Sequence, residues 1–310
     1  MIIGGKEDII QNEKNEECVE GYAMQRDIKE IILSRMPDFS KAHQRIGQYI
    51  LDHYDKAAYM TAAKLGDIVH VSESTVVRFA IQMGYEGYPE FQKALQEYIR
   101  TRLTSFQRVE VTNNLIGDGD VLEKVLTSDA ERIRKTLDNI DRKAFNEAVD
   151  KIIRAEKIYI MGVRSSSSLA GFLYFNFRII FDSVRLVQTT SGSELFEQIL
   201  NIGPKDTMIA ISFPRYSKRI INAVEFAHNA GANVVSITDR PKSPIATFGD
   251  QVLIAQSDVV SFVESLVAPL SLINALVVAV SLKKHDELTD RLHKLELIWD
   301  EYDVYDKTHG

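Results

Sequence analysis

Residues 157–172 read KIYIMGVRSSSSLAGF, and this stretch decides the fold of the larger part of the chain. Its first half is a short apolar run with β-branched and aromatic residues, which is typical of a buried strand. Its second half leads into the apolar helical pattern SLAGFLYFNFRII. Gly162 and four consecutive serines stand between the two halves. The stretch therefore predicts a strand, a tight turn and a helix whose start is rich in hydroxyls and unpaired backbone amides.

The same alternation of strand and helix continues along the chain. Four further strand patterns, VRLV, TMIAIS, NVVSIT and QVLIA, alternate with helical stretches. Two more helices are predicted ahead of the first strand, at 120–138 and 141–154, with Asp120 and Asp141 as their caps. Fully apolar strands that alternate with helices are typical of a parallel sheet covered on both faces. We therefore predict a doubly wound, flavodoxin-like α/β domain with a five-stranded parallel sheet, which binds ligands at the carboxyl ends of its strands.

The part of the chain ahead of this domain has a different sequence pattern. Residues 26–103 have helical patterns throughout, whereas residues 104–119 are polar and without period. Residues 1–25 are acidic, and we expect them to be poorly ordered. The predicted organisation is an N-terminal segment 1–25, an all-α domain 26–103, a linker 104–119 and an α/β domain 120–310.

Composition and charge limit the possible functions. The formal net charge of −7 argues against indiscriminate binding of nucleic acid, although residues 26–108 are slightly basic. The single cysteine, Cys18, excludes an internal disulfide framework and fits a reducing cytosol. We therefore expect a cytoplasmic globular protein.

One apolar run, residues 259–280, is long enough to span a bilayer. It contains Glu264, Pro269 and Asn274, and a carboxylate alone costs roughly 2.5 kcal/mol or more in the middle of a membrane. The run therefore predicts a helix buried within a soluble domain, and no membrane partner is expected.

Thr61–Met83 has the form of a helix-turn-helix. Two short helices, 61–69 and 72–83, are predicted on either side of a tight connection at His70–Val71. In this motif the N-terminal part of the second helix lies in the major groove. Short hydroxyls there reach base edges or phosphates, and an arginine one turn later reaches a phosphate or a guanine. The candidate DNA-binding residues are Lys41, Arg45, Thr61, Ser72, Glu73, Ser74, Thr75 and Arg78.

The expected partner is double-stranded operator DNA, bound by two copies of the chain on a two-fold symmetric site. The alternative is that Ser72 is only a helix cap and Arg78 only a solvated surface residue.

The serine run predicts a binding site for an anion. A helix N-terminus offers unpaired N–H groups and a partial positive charge, and serine hydroxyls add donors without bulk. A second strand end, ISFPRYS, has related chemistry, and the two are expected to lie side by side. The candidate ligand-binding residues are Gly162, Arg164, Ser165, Ser166, Ser167, Ser212, Arg215 and Ser217. The alternative is a polar turn with a cap.

Neither of these two strand ends carries a cofactor motif. GVRSSS lacks the second and third glycines of a dinucleotide fingerprint, and it lacks the Gly-Lys-Ser/Thr end of a P-loop. The seven histidines form no metal-ligand spacing. We expect neither a cofactor nor a metal, and the predicted ligand is a small phosphorylated molecule.

The order of these motifs resembles that of a known family of proteins. ESTVVRFAIQMGYEGYPEFQKAL resembles the helix-turn-helix of the RpiR family of bacterial transcriptional regulators, with TVVRFAIQMGYEGYPEF as its most specific part. The later half resembles the sugar isomerase (SIS) domain that those regulators carry, so that the resemblance covers about residues 26–300. It implies a repressor or activator of carbohydrate metabolism that senses a sugar phosphate or a related acid. It also implies a homodimer or tetramer.

Site residues follow from the resemblance one by one. Ser166 matches the phosphate-binding serine after the first strand, and Ser212 and Ser217 match the first and last hydroxyls of the family's Ser-x-Ser-Gly-x-Ser/Thr loop. Pro214 and Arg215 depart from that loop, which loses a hydroxyl and some flexibility and gains a guanidinium. A guanidinium binds phosphate or carboxylate bidentately, so the anionic group of the effector stays open.

Glu264 is the remaining candidate ligand-binding residue. In related isomerases a glutamate near the last helix works on the sugar, and Glu264 matches that place. The alternative is a core carboxylate that accepts hydrogen bonds from backbone donors at a helix start. A sugar-phosphate isomerase or lyase with an accessory helical domain is the competing function, and it needs a positioned base. Glu264 is the only obvious candidate for that base, so we assign no catalytic residue and predict a sensor rather than an enzyme.

Overall fold

The computed structural model describes residues 28–102, 120–188, 191–257 and 264–305. The chain divides into two compact units at residues 107 and 108. The predicted segment 1–25 and linker 104–119 lie outside the described residues.

The first unit is all helix. Its α-helices are α1 Ile28–Arg35, α2 Lys41–Asp52, α3 Tyr54–Ala57, α4 Ala62–Val69, α5 Glu73–Gln82 and α6 Tyr88–Arg102, with a 3₁₀ turn Met36–Asp38 after α1. Ser40 and Thr61 cap α2 and α4, because their hydroxyls accept hydrogen bonds from the backbone N–H of His43 and Lys64.

Helices α4 and α5 form the predicted helix-turn-helix. His70 caps the carboxyl end of α4 with a left-handed φ of 54°, and the backbone N–H of Val71 then donates to the carbonyl of Gly66. The buried Phe79 of α5 packs edge-on against Phe39, with ring centroids 5.3 Å apart. This packing holds α5 against the rest of the unit and leaves its amino-terminal turn exposed.

The second unit confirms the predicted α/β fold. Its elements are α7 Val121–Asn139, α8 Arg142–Arg154, β1 Ile158–Gly162, α9 Ser166–Ile180, β2 Val184–Val187, α10 Gly192–Ile199, β3 Thr207–Ile211, α11 Lys218–Asn229, β4 Asn233–Thr238, β5 Gln251–Ile254, α12 Val267–Lys283 and α13 His285–Glu301. All five strands are parallel, in the order β2-β1-β3-β4-β5. Asp120 and Asp141 cap α7 and α8 as predicted.

Both faces of the sheet are buried, which explains the unbroken apolar strands. Along β1, Ile158 and Ile160 belong to the core shared with α8, α9 and α12, whereas Tyr159 and Met161 belong to the core shared with α10 and α11. Successive side chains of a strand point to opposite faces, so each face of this sheet has its own helical layer.

The apolar run 259–280 contributes one of these covering helices. From Val267 onward it forms α12, which buries Leu272, Ile273 and Leu276 in the core. No single helix in the described part of the chain is long and apolar enough to cross a membrane. The pair α12 and α13 meets that test of length and composition only together, with a bend of 96° between the two helices.

The turn after β1 depends on Gly162. A Cβ on this residue would lie 2.3 Å from the carbonyl oxygen of Ser166, which is backbone and has no room to move. We expect Gly162→Ala to lower the free energy of unfolding by roughly 2–4 kcal/mol, measured by chemical denaturation.

Gly171→Ala is the matched control for this substitution. Gly171 lies inside α9, and a Cβ added there would have nothing within 4 Å, so alanine should be neutral or add about 0.5–1 kcal/mol. Equal stability of the two variants would contradict the role assigned to Gly162.

Candidate functional site

The start of α5 carries a small array of polar side chains. The hydroxyl of Ser72 lies 2.9 Å from that of Ser74 and 2.8 Å from that of Thr75, and Arg78 donates to Thr75 Oγ1 at 3.3 Å. Ser72 has the backbone conformation of an N-cap, but its side chain makes no capping hydrogen bond. Ser72, Glu73, Ser74 and Arg78 are exposed. This turn therefore presents hydroxyls and a guanidinium outward, as a helix that enters the major groove does.

The basic candidates on α2 lie elsewhere on the first unit. His43 Nδ1 lies 2.5 Å from Gln82 Oε1, so the start of α2 packs against the carboxyl end of α5. The start of α2 therefore lies near the end of α5 that is opposite Ser72, and the ten residues of α5 span roughly 15 Å at 1.5 Å per residue. Lys41 and Arg45 are exposed, and their position suits the phosphates that flank a groove rather than the bases within it.

The residues that join β1 to α9 form a hydroxyl-rich turn, residues 162–168, which we call the serine corner. It lies where the sequence predicts it. Ser166 begins α9 and is buried, whereas Arg164 and Ser165 are exposed. Arg164 has a φ of 57°, in the left-handed region. Its carbonyl accepts hydrogen bonds from the hydroxyl of Ser167 at 2.6 Å and from its backbone N–H at 3.0 Å. These bonds fold the residues after β1 into a tight loop at the start of the helix.

The second predicted corner lies beside the first. β1 pairs directly with β3, with Gly162 opposite Ile211, so that Ser212 follows at the same edge of the sheet. Ser212 is buried, Arg215 is exposed and Ser217 is the N-cap of α11. The two hydroxyl-rich strand ends and the helix starts that follow them are therefore neighbours at one edge of the sheet, where N–H and hydroxyl donors suit an anion.

Glu264 reaches this corner from another part of the chain. Its Oε2 accepts a hydrogen bond from the hydroxyl of Ser165 at 3.3 Å. Glu264 lies three residues ahead of α12 and is half-buried. The structure thus brings Glu264 to the serine run, while its assignment as a contact to a sugar remains a prediction.

Three residues next to the corner were missed by the sequence analysis. The hydroxyl of Tyr216 donates to Asp239 Oδ1 at 2.6 Å and accepts from Arg240 Nε at 3.0 Å, and the Arg240 guanidinium lies 5.6 Å from the Tyr216 ring centroid. Asp239 and Arg240 directly follow β4, so the strand-end rule that identified Ser212 applies to them equally. This cluster ties the loop after β3 to the end of β4.

The same cluster changes the acidity of the tyrosine. Burial first, and then the charge of the Asp239 carboxylate, raise the pKa of the Tyr216 phenol well above its ordinary value. Tyr216 therefore stays protonated and keeps donating to Asp239 at every physiological pH.

The described residues show no group of three or more His, Cys, Asp or Glu side chains that could hold a metal ion.

The comparisons with known proteins match both units. The helix-turn-helix domain of the rpiR family matches residues 26–102, and the SIS domain matches residues 151–279. HexR of Escherichia coli is 24% identical over 86% of this chain and 92% of its own length. HexR of Pseudomonas aeruginosa is 23% identical over 87% of this chain and 95% of its own.

Two solved structures share the fold. The sugar isomerase domain of an RpiR transcription factor from Sphaerobacter thermophilus is 27% identical and covers 57% of this chain and 98% of that one, with a TM-score of 0.55. The Vibrio vulnificus NanR protein is 24% identical and covers 89% of this chain and 98% of that one, also with a TM-score of 0.55.

A helix-turn-helix unit followed by a SIS domain defines a DNA-binding regulator of transcription, and the competing isomerase function is not favoured. The chain belongs to the RpiR family of such regulators.

The Tyr216 cluster gives a test of how the loop after β3 is held. Tyr216→Phe removes a hydrogen bond to a buried carboxylate, so we expect the free energy of unfolding to fall by about 1.5–3 kcal/mol in chemical denaturation. Tyr174→Phe is the control, because the hydroxyl of this half-buried residue makes no hydrogen bond with the described residues. A loss of equal size in both variants would contradict the role of the cluster.

The raised pKa of Tyr216 adds a pH dependence. The unfolded tyrosine ionises near its ordinary pKa of about 10, while the folded one does not, so the stabilisation is present below pH 10 and is lost as the pH rises above it. We expect the wild type to lose stability above pH 10 more steeply than Tyr216→Phe does.

Proposed function

We propose that the chain regulates genes of carbohydrate metabolism and that a phosphorylated or acidic sugar bound at the serine corner changes its affinity for operator DNA. The observation that carries the proposal is the adjacency of the β1 and β3 ends, which brings the Ser165–Ser167 and Ser212–Ser217 loops together. A ligand changes DNA affinity only by binding the two states of the regulator unequally, and couplings of this kind are typically about 1–3 kcal/mol.

The chemistry of the corner supports an anionic ligand. Arg164 and Arg215 are exposed beside two helix starts, whose N–H groups carry partial positive charge. NanR, whose likeness to this chain is one of fold, is described in complex with ManNAc-6P. A phosphate on a sugar is thus the first class of effector to test, and a sugar carboxylate is the second because Arg215 suits either group.

Glu264 fits the sugar part of such a ligand. A carboxylate repels phosphate, so a bound phosphate would move Glu264 away from Ser165, and Glu264 would contact hydroxyl groups at the rim of the site rather than the phosphate itself.

We propose further that the chain acts as a homodimer or tetramer. Helices α7 and α12 lie side by side, and each exposes apolar side chains at helical spacing; these are Leu122, Leu126, Ile133 and Leu137 on α7 and Val267, Leu270, Val278 and Leu282 on α12. Exposed apolar side chains on two neighbouring helices support association of protein subunits. Two copies would place two recognition helices on one two-fold symmetric operator.

The DNA-binding part of the proposal is tested at Arg78. A duplex selected by the wild type from a random-sequence pool is expected to be two-fold symmetric, and Arg78→Ala should weaken its binding about tenfold or more in a fluorescence anisotropy titration. If Arg78 contacts a phosphate, the slope of log affinity against log salt falls by about one for each copy bound. Lys143→Ala, an exposed cation of the second unit, is the control; equal weakening by both would contradict a direct role of Arg78.

The ligand-binding part is tested by thermal unfolding with sugar phosphates, the parent sugars and the corresponding acids. A ligand at a hundredfold excess over its dissociation constant stabilises the folded state by about 2.7 kcal/mol, which corresponds to a shift of roughly 5–10 °C in Tm. Ser212→Ala and Arg215→Gln should lose most of the shift, and Ser281→Ala, far along α12, should keep it. A shift that survives both corner variants would move the ligand site elsewhere.

A further inference from the structure

The serine corner is connected by hydrogen bonds to α7, the first helix in the described part of the second unit. Ser165 donates to Glu264 at 3.3 Å, and the next residue, Ser265, donates to Asp129 Oδ1 of α7 at 2.6 Å. Two hydrogen bonds thus link the corner to α7 through Glu264 and Ser265, which are neighbours in the sequence.

The α7 end of this connection is fixed by a buried ion pair. Arg132 donates to the same oxygen of Asp129 at 2.8 Å, and only 5% of the Arg132 side chain is exposed. A third contact lies one turn further along α7, where Thr136 Oγ1 accepts from the backbone N–H of Gln256 at 3.0 Å. Because the Arg132 charge is buried, its pairing with Asp129 is costly to disturb, so the hydrogen bond from Ser265 is the contact of Asp129 that a shift at the corner would change first.

The corner end of the connection is exposed to competition by a ligand. A serine hydroxyl has a single hydrogen to donate, and in this structure Ser165 donates it to the Glu264 carboxylate. An anion bound among the serines competes for that hydrogen, and its charge repels the carboxylate. Bound anion and the Ser165–Glu264 hydrogen bond therefore exclude each other.

We propose that Ser265 and Asp129 are positioning residues that couple occupancy of the serine corner to α7. An anion displaces Glu264 from Ser165, the displacement shifts Ser265, and the loss or weakening of the Ser265–Asp129 hydrogen bond loosens the α7 turn around Asp129. In sequence, α7 is the described helix of the second unit that lies nearest to the DNA-binding unit. This inference rests on the proposed anion site, but it concerns residues outside that site.

The test uses the full chain, inorganic phosphate as the probe and amide hydrogen exchange as the readout. In the wild type, phosphate should slow exchange at residues 163–168 at least threefold and speed exchange in α7 around Asp129. In Ser265→Ala, exchange in α7 should already be fast without phosphate and should not respond to it, while protection at 163–168 persists. Ser281→Ala removes a hydroxyl that donates to the Val278 carbonyl of its own helix, and it should behave as the wild type.

Glu264→Gln supplies an independent variant that leaves Ser265 in place. The neutral amide no longer repels the anion, so phosphate should protect residues 163–168 at a several-fold lower concentration and the response of α7 should fall. This variant decides the question if Ser265→Ala does not fold.

The outcomes separate the two proposals. Protection at 163–168 without any response of α7 in the wild type, or an equal response of α7 in Ser265→Ala, overturns the coupling and leaves the anion site standing. Absence of protection at 163–168 at any phosphate concentration overturns the anion site, and the coupling with it.

Discussion

The parallel pairing of β1 with β3 is the interaction on which the second unit depends. The two strands are adjacent in space although α9, β2 and α10 separate them in sequence, and Gly162 lies opposite Ile211. Both strands are buried on both faces, so their residues are mainly apolar, and the serines follow where the strands end. The pairing thus collects the polar residues of two distant loops at one edge of the sheet, at the point where the strand order reverses, which is where parallel sheets of this class bind ligands.

Much of the fold could be predicted from the sequence because periodicity and capping report local structure directly. The five strands, the helices capped by Asp120 and Asp141, and the helix-turn-helix at 62–82 all lie where their patterns indicate. The position of Lys41 relative to the start of α5 could not be predicted, because it depends on how α2 packs against α5 and not on the sequence pattern of α2 itself. Helix α12 begins only at Val267, since the apolar character of the run 259–280 does not mark where its helix starts.

The candidate site was predictable where a residue directly follows a strand and less so where it arrives from elsewhere. The serine run and Ser212 carry their own signal, and Asp239 carries the same signal at the end of β4. Asp129 and Ser265 carry none, because they are 136 positions apart in the chain and meet only through the packing of α7 beside α12. Contacts of that kind are a property of the tertiary structure, and a single sequence does not encode them in any local pattern.

The backbone of Arg164 has a consequence for how the corner came to be built. A left-handed φ costs a residue with a side chain roughly 1–2 kcal/mol, and glycine would occupy the same position without strain. The chain instead has an arginine there, and hydrogen bonds from Ser167 hold the carbonyl of Arg164 in place. The turn is therefore less stable than it would be with glycine at this position, and an exposed guanidinium stands at the rim of the corner in its place.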